Sequence, residues 1–314
     1  MLNFLVKRFF SMALVLLVVS ITIFIVMHLL PGDPAAIMLG PEATNEDVAA
    51  LKAEMGLDKP VLIQFIEWTG RIVRGDLGNS LFFQNRSVPN VIFDHLEATV
   101  LLTLLSLGMA TLIGIITGVL AASTHESIFD RSFMLFTSMA VAIPNFWLGL
   151  MLVLGFAIMI PIFPAAGYSP LKEGIWSCLS YLVLPSITLA AGAVALIARM
   201  TRACMLDVLQ NEYIRTAKAK GVRQSIVIFK HALRNAIIPV VTVIGMSFAN
   251  LMGGAVVTES IFNIPGVGRL LIKSVFTRDY PVIEGVVLYI AIAWTLINLM
   301  VDIIYTIIDP RLEY

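Results

Sequence analysis

Six stretches of this chain run without Asp, Glu, Lys or Arg for about the length of a bilayer crossing: residues 9–32, 98–124, 132–160, 175–198, 235–258, and 285–301 with its continuation 303–308. A hydrocarbon core about 30 Å thick takes about 20 apolar residues in helical form, and a helix satisfies its own backbone groups where water is absent. The expected fold is an all-α integral membrane protein of six transmembrane helices. Composition agrees, since only 13% of residues are charged and 59% are hydrophobic, against roughly 25% charged in a soluble domain. A formal net charge of +0 removes bulk attraction to nucleic acid as an organising theme.

The third stretch stays uncharged as far as Leu171, but Pro161, Pro164, Gly167 and Pro170 predict that its helix ends earlier. The first follows Lys7 and Arg8 as a signal sequence would. Its 24 uncharged residues exceed a secretory core and no small-residue cleavage site follows, so it reads as a span.

Charge bias sets the expected orientation. The long segment 33–96 is set aside, because long loops translocate largely regardless of charge. With the N-terminus inside, the inner set holds twelve cations: Lys7, Arg8, Arg131, eight from Arg199 to Arg234, and Arg311. The outer short loops hold four, Lys172, Arg269, Lys273 and Arg278. Both ends are therefore expected in the cytoplasm, with a sizeable first external loop.

That loop carries order signals. Thr44 with Asp47 reads as a capping box, Gly56 as a helix stop, and Pro60 as the start of a second helix bearing Phe65 and Trp68. Such a cap either packs on the first span or meets an external partner. Cys178 and Cys204 fall on opposite sides in this topology and cannot pair within one subunit. His28, His95, His125 and His231 lack the spacing of a metal site, and none is expected.

The inner segment 199–234 contains "NEYIRTAKAKGV", residues 211–222. Asn211 is placed to cap a helix that opens with Glu212 and closes with Lys218 and Lys220, acid at the positive end of the dipole and cations at the negative end. Gly221 supplies a left-handed stop. A helix of about nine residues, roughly 13 Å long, does not persist alone in water and needs a surface. Beyond it Ile226, Phe229, Leu233 and Ile237 share one helical face, with Arg223, Lys230 and Arg234 on others, which predicts an interfacial helix feeding the fifth span at Ile238 and Pro239. A polybasic loop resting on anionic lipid is the alternative. Thr216, Ala217, Ala219 and Gly221 favour docking, because close helix contact needs small side chains.

The span centres hold no carboxylate or histidine. Asp302 lies near an inner end, Glu259 and His28 near outer ends, which disfavours a proton-coupled carrier, although sodium sites built from carbonyls and hydroxyls escape that test. The chain has no G-x-x-x-x-G-K-[ST] phosphate loop, and no His-Glu-x-x-His or Gly-x-Ser-x-Gly arrangement. No catalytic residue and no cofactor are expected on this chain. A membrane conduit without an engine, presenting a docking helix, points to an engine on another chain.

"NEYIRTAKAKGV" followed by "HALRNAIIPVVTVIG" resembles the cytoplasmic signature of ABC importer permeases of the dipeptide/oligopeptide/nickel branch. The likeness runs nearly end to end, through "HLLPGDPA" at 28–35, "GLDKP" at 56–60, "GDLGNS" at 75–80, "IPNFWLG" at 143–149, "ESIFNIPGVGRLL" at 259–271, "RDYPVIEG" at 278–285 and "DPRL" at 309–312. In the broader importer signature a Glu-Ala-Ala triplet leads and Ile-x-Leu-Pro closes. Gly221 fits it, while Arg215, Thr216, Ala217 and His231, Ala232, Leu233, Arg234 depart from it in the manner of the peptide branch.

The resemblance implies a type I ABC importer transmembrane domain over 97–308, preceded by an N-terminal span at 1–32 and a loop subdomain at 33–96, and followed by a cytoplasmic tail at 309–314. It makes the short helix a coupling helix seated in an ATPase groove, with Glu212, Tyr213, Arg215, Thr216, Ala217, Lys218, Lys220 and Gly221 as the coupling residues. The implied partners are a second similar permease, two ATP-binding subunits or domains that carry ATP and Mg, an extracytoplasmic substrate-binding protein and membrane lipid, in a bacterial cytoplasmic (inner) membrane. Short peptides, whether dipeptide, oligopeptide or glutathione, are the expected cargo, moved by alternating access. Nickel or another solute of the branch is the alternative, and an ion-coupled secondary transporter is the rival class. Pro144, Asn145 and Phe146 in the third span, with Ser247 and Asn250 in the fifth, either line the path or hydrogen-bond within the packed bundle.

Overall fold

The computed structural model describes residues 2–29, 34–39, 43–54, 56, 58–83 and 86–308. Pro31, Gly32 and the 309–314 tail with Arg311 lie outside the described residues. In chain order the helices are α1 (Leu2–Leu29), α2 (Pro34–Leu39), α3 (Asn45–Glu54), α4 (Val61–Val73), α5 (Val88–Ser123), α6 (Ile128–Ala142), α7 (Asn145–Val153), α8 (Ile175–Leu209), α9 (Glu212–Ala219), α10 (Gln224–Ile226), α11 (Leu233–Ile261), α12 (Val267–Thr277) and α13 (Tyr280–Ile308). Among the described residues the extended pairing is a single antiparallel bridge between Asn79 and Ser87.

α1, α5, α8, α11 and α13 are each long and apolar enough to cross a membrane. The third uncharged stretch is a bent pair of helices, in which α6 and α7 meet at 100°. Pro144 supplies the break. It cannot continue the ladder and pushes Ile143 to extended geometry, φ −77° and ψ 123°. α7 then passes into a π-helical turn, Leu154–Met159, and ends ahead of Pro161 as the sequence implies. Counting the bent pair once, six spans result.

The chain divides into two compact units. The first takes the residues up to Leu96 together with Arg269–Thr295. Its α3 opens on the expected capping box, in which Asp47 Oδ2 accepts from the Thr44 amide at 3.1 Å and hydroxyl at 2.6 Å while Thr44 Oγ1 accepts from the Asp47 amide at 3.2 Å. Gly56 follows with φ +70°. α4 starts after Pro60 and turns Phe65, Trp68 and Ile72 inward against Phe24 of α1, whose ring centre lies 5.2 Å from that of Phe65 and 5.6 Å from that of Trp68. Of the two readings of this cap, packing on the first span is the one observed.

Two of the quoted motifs meet in this unit. Asp279, fully buried, accepts from Ser80 Oγ at 2.5 Å and from the amides of Leu81 and Phe82 at 3.1 and 3.2 Å. Trp68 Nε1 donates to Glu284 at 2.6 Å. These bonds tie the turn after α4 and α4 itself to the start of α13. Buried carboxylates need such donors, because an unsatisfied one is costly to desolvate.

The second unit covers Glu97–Gly268 and the residues from Leu296 on. α8 is its spine, flanked by α6, α7 and α11. α5 meets α8 at Gly114 and Gly118, where a Cβ would press on Ile197 at one position and on Ala198 O and Thr201 at the other. This is small-x-x-x-small packing, in which missing side chains let two backbones approach within a bilayer. Gly245 gives the same room to Val301. In "ESIFNIPGVGRLL" the glycines make space for an acid: a Cβ at Gly266 would strike the carboxylate of Glu259, which is fully buried and accepts from Thr99 Oγ1 at 2.6 Å. The loop before α8 is strapped by Glu97, which accepts from Tyr168 Oη and the Leu171 amide, both at 2.8 Å. Burial, with the Glu97 carboxylate added, pushes the Tyr168 phenol pKa up.

Candidate functional site

α9 is eight residues long and held by one anchor. Ile214 is fully buried in a cluster with Val119 and Ala122 of α5, Met205 of α8, Val227 and Ala232 of the π-helical turn before α11, and Ala236. Ala217, one turn on, is half-buried beside it. The helix therefore has the surface that its length demands, at the ends of three longer helices. Fully burying an isoleucine is worth about 1.5–3 kcal/mol, enough to seat a single turn pair. Tyr213 adds a polar clamp, its hydroxyl accepting from Asn235 Nδ2 at 2.7 Å.

The rest of α9 faces outward. Glu212, Tyr213, Arg215, Thr216, Lys218 and Ala219 are exposed, as are Lys220 and Gly221 just beyond. Arg215 spans one turn to Glu212 at 2.7 Å, both side chains largely exposed. Gly221 has φ +76°, and its amide and that of Val222 return to the carbonyls of Lys218 and Ala217. The stop is the one the sequence implies. The cap is not: Asn211 holds the capping backbone geometry but makes no side-chain cap bond, and its carbonyl receives the amides of Ile214 and Arg215. Ala217 is half-buried, so part of its small side chain packs on the inward face.

The apolar face expected after Gly221 is divided: Leu233 and Ile237 are half-buried in the bundle. Ile226 and Phe229 are exposed, while Val227, Ala232 and Ala236 are buried. The chain from Val227 to Ala232 is π-helical, which adds a residue to the turn and resets the phase that a 3.6-residue period assumes. Among the suggested path residues, Pro144, Asn145, Phe146 and Asn250 are exposed. Ser247 is only 2% exposed and its hydroxyl is taken by the carbonyl of Val243 at 2.6 Å, one turn back in its own helix.

One polar group has no counterpart in the sequence reading. Asp130 is 3% exposed and forms a two-pronged ion pair with Arg202, Nε to Oδ1 at 2.5 Å and Nη2 to Oδ2 at 2.7 Å. Ser127-x-x-Asp130 at the head of α6 was the available signal, since Ser127 Oγ accepts from the Asp130 amide. The partner 72 residues away had none.

Residues 114–314 match the family described as binding-protein-dependent transport system inner membrane component, and residues 1–103 match its N-terminal counterpart. The chain is 40% identical over 311 residues to the probable peptide ABC transporter permease protein y4tP of Sinorhizobium fredii, covering 99% of each. It is also 40% identical over 314 residues to the glutathione transport system permease protein GsiC of Escherichia coli strain K12, covering 100% of each. Among solved structures, an inward-facing form of the MetNI methionine ABC transporter superposes with a TM-score of 0.59 at 18% identity, over 70% of this chain and 96% of that one. At that identity the likeness is one of fold.

Proposed function

This chain belongs to the family of binding-protein-dependent transport system inner membrane components, and from that premise we propose that it imports short peptides, dipeptide, oligopeptide or glutathione, as one permease of an ATP-driven complex. The observation that carries the cargo class is the end-to-end likeness to relatives named for peptide and glutathione transport. The chain is a permease subunit and not an enzyme, and the ATPase is a separate subunit. On this reading α9 is the coupling helix, with both chain ends in the cytoplasm of a bacterial inner membrane. Glu212, Tyr213, Arg215, Thr216, Ala217, Lys218, Lys220 and Gly221 meet a groove on an ATP-binding subunit that carries ATP and Mg, and Ile214 passes the force into α5, α8 and α11.

A second permease of similar fold completes the path, and a substrate-binding protein delivers cargo from outside. ATP-driven closure of the two ATPase units draws the two coupling helices together. The spans then rock as rigid bodies from inward- to outward-facing. Pro144, Asn145, Phe146 and Asn250 are the residues of this chain we assign to the path.

The test is affinity purification of the tagged chain from its native membrane, followed by uptake in liposomes. Two ATPase-type polypeptides and another six-span protein are expected to co-purify, and the assembly, supplied with ATP inside and binding protein outside, accumulates labelled Gly-Leu or glutathione. Vigorous solute uptake by the isolated chain in an ion gradient would overturn the reading in favour of a secondary transporter. Uptake of nickel in place of either peptide probe would move the cargo to the other arm of the branch.

A further inference from the structure

Asp130 and Arg202 stand where α9's seat would pass movement on. Arg202 lies one turn before Met205, and Met205 shares a buried cluster with Ile214 of α9 and with Val119 and Ala122 of α5. Asp130 opens α6, just past the turn that ends α5. That turn is tightly set: Glu126 has φ +64°, its amide donates to Asp130 Oδ2 at 3.1 Å, and His125 Nδ1 lies 3.3 Å from the same oxygen. One carboxylate thus collects the α5–α6 turn, the first turn of α6 and the last third of α8.

A buried ion pair is a poor way to gain stability, since apolar residues of the same size do as well or better. What a forked guanidinium–carboxylate pair adds is orientation, because two parallel hydrogen bonds fix rotation and register where greasy contacts allow sliding. Beside it, α5 and α8 are held at closest approach by Gly114 and Gly118. We infer that Asp130 and Arg202 are a positioning pair that makes the α5–α6 turn and the stem of α8 move with α9 as one body, so that displacement of α9 reaches the bent α6–α7 pair. The inference rests on the coupling role proposed above for α9.

The experiment uses the complete complex in liposomes, with ATP hydrolysis and uptake of labelled Gly-Leu and glutathione measured on the same preparation. Asp130→Asn removes the charge, Arg202→Lys keeps the charge but loses the fork, and Asp130→Glu keeps a carboxylate. The expected result is ATP hydrolysis within about twofold of the parent in all three. Uptake per ATP falls about tenfold in Asp130→Asn and Arg202→Lys, a size that changes along a coupling route reach, and stays near the parent in Asp130→Glu. Uptake per ATP equal to the parent in Asp130→Asn and Arg202→Lys overturns the inference, whether or not the yield of complex drops, because the pair then serves folding alone. A parent complex that hydrolyses ATP without moving either probe instead overturns the peptide reading.

Discussion

At Asp279 three donors converge on a carboxylate with no exposure, whereas six of the eight residues of α9 are exposed and Lys218 and Lys220 project from a helix held by Ile214. Both regions are ionic, and both belong to a chain that is 59% hydrophobic. The difference lies in what satisfies the charge. Asp279 is satisfied by its own fold, which makes it a fastening between the Ser80 turn and the start of α13. Lys218 and Lys220 are left to water, lipid or another protein, which is what a docking element requires.

The widest separation of these roles comes from Gly221→Leu. A Cβ at Gly221 meets nothing within 4 Å, so the change costs only the left-handed backbone, roughly 1–2 kcal/mol for a residue with a side chain. The chain remains inserted and folded, judged by its thermal midpoint in detergent, while the helix stop is lost and transport is abolished. Survival of both ATPase association and uptake in this variant removes the coupling role from α9. Asp279→Ala tests the opposite region. It strands the Ser80 hydroxyl and the Leu81 amide, while the Phe82 amide keeps its bond to Ser80 Oγ; an unsatisfied buried group costs about 1–3 kcal/mol, and the folded state is expected to lose on the order of 4 kcal/mol. A midpoint within a few degrees of the parent contradicts the fastening role.

The same contrast governs what could be read before the structure. The α9 stop, the helix end ahead of Pro161, the Thr44 capping box and the Pro60 start are local, each written in residues a few positions apart, and each stands where the sequence puts it. Asp279 with Ser80, Trp68 with Glu284, Thr99 with Glu259 and Asp130 with Arg202 join residues 199, 216, 160 and 72 apart. Periodicity and capping rules carry no information about such partners, so the motifs "GDLGNS", "RDYPVIEG" and "ESIFNIPGVGRLL" were recognisable as signatures without their reason being visible. Asp279 and Glu259 turn out to be buried acceptors, and Gly266 and Gly268 make the room for Glu259. The division of the apolar face after Gly221 has a different cause, since the π-helical turn at Val227–Ala232 shifts the phase of a 3.6-residue period. Among the candidate site residues, those that depend on α9 being a short exposed helix were legible, whereas the half-burial of Ala217 depends on a cluster built from α5 and α8.

Charge reversal sharpens the comparison further. Lys218 and Lys220 are exposed at the last turn of α9, and exposed charges contribute at most about 1 kcal/mol to stability. Lys218→Glu combined with Lys220→Glu is expected to leave the thermal midpoint within a degree or two while lowering ATP-driven uptake about tenfold, a loss of about 1.4 kcal/mol in productive docking. Unchanged uptake assigns those lysines to lipid contact under the charge bias of inner loops.

The smallest effect expected is a pH dependence confined to α3. The Asp47 carboxyl is held below the ordinary aspartate value of 3.8 by its hydrogen bonds to Thr44, the side-chain bond first and the backbone bond second. A lowered folded-state value means that the unfolded chain binds the proton more readily, so the stabilising contribution is fully present above about pH 4 and is lost as the pH falls through the lowered value. Hydrogen exchange of the α3 amides, corrected for the intrinsic pH dependence of exchange, should show protection that is constant from pH 7 to 5 and weakens as the pH falls below the ordinary aspartate value, while the amides around Trp68 in α4 do not follow. Thr44→Ala removes the hydroxyl half of the box and is expected to erase most of that difference. An α3 equally protected at both ends of the range in the parent would mean that its packing, and not the cap, holds the helix.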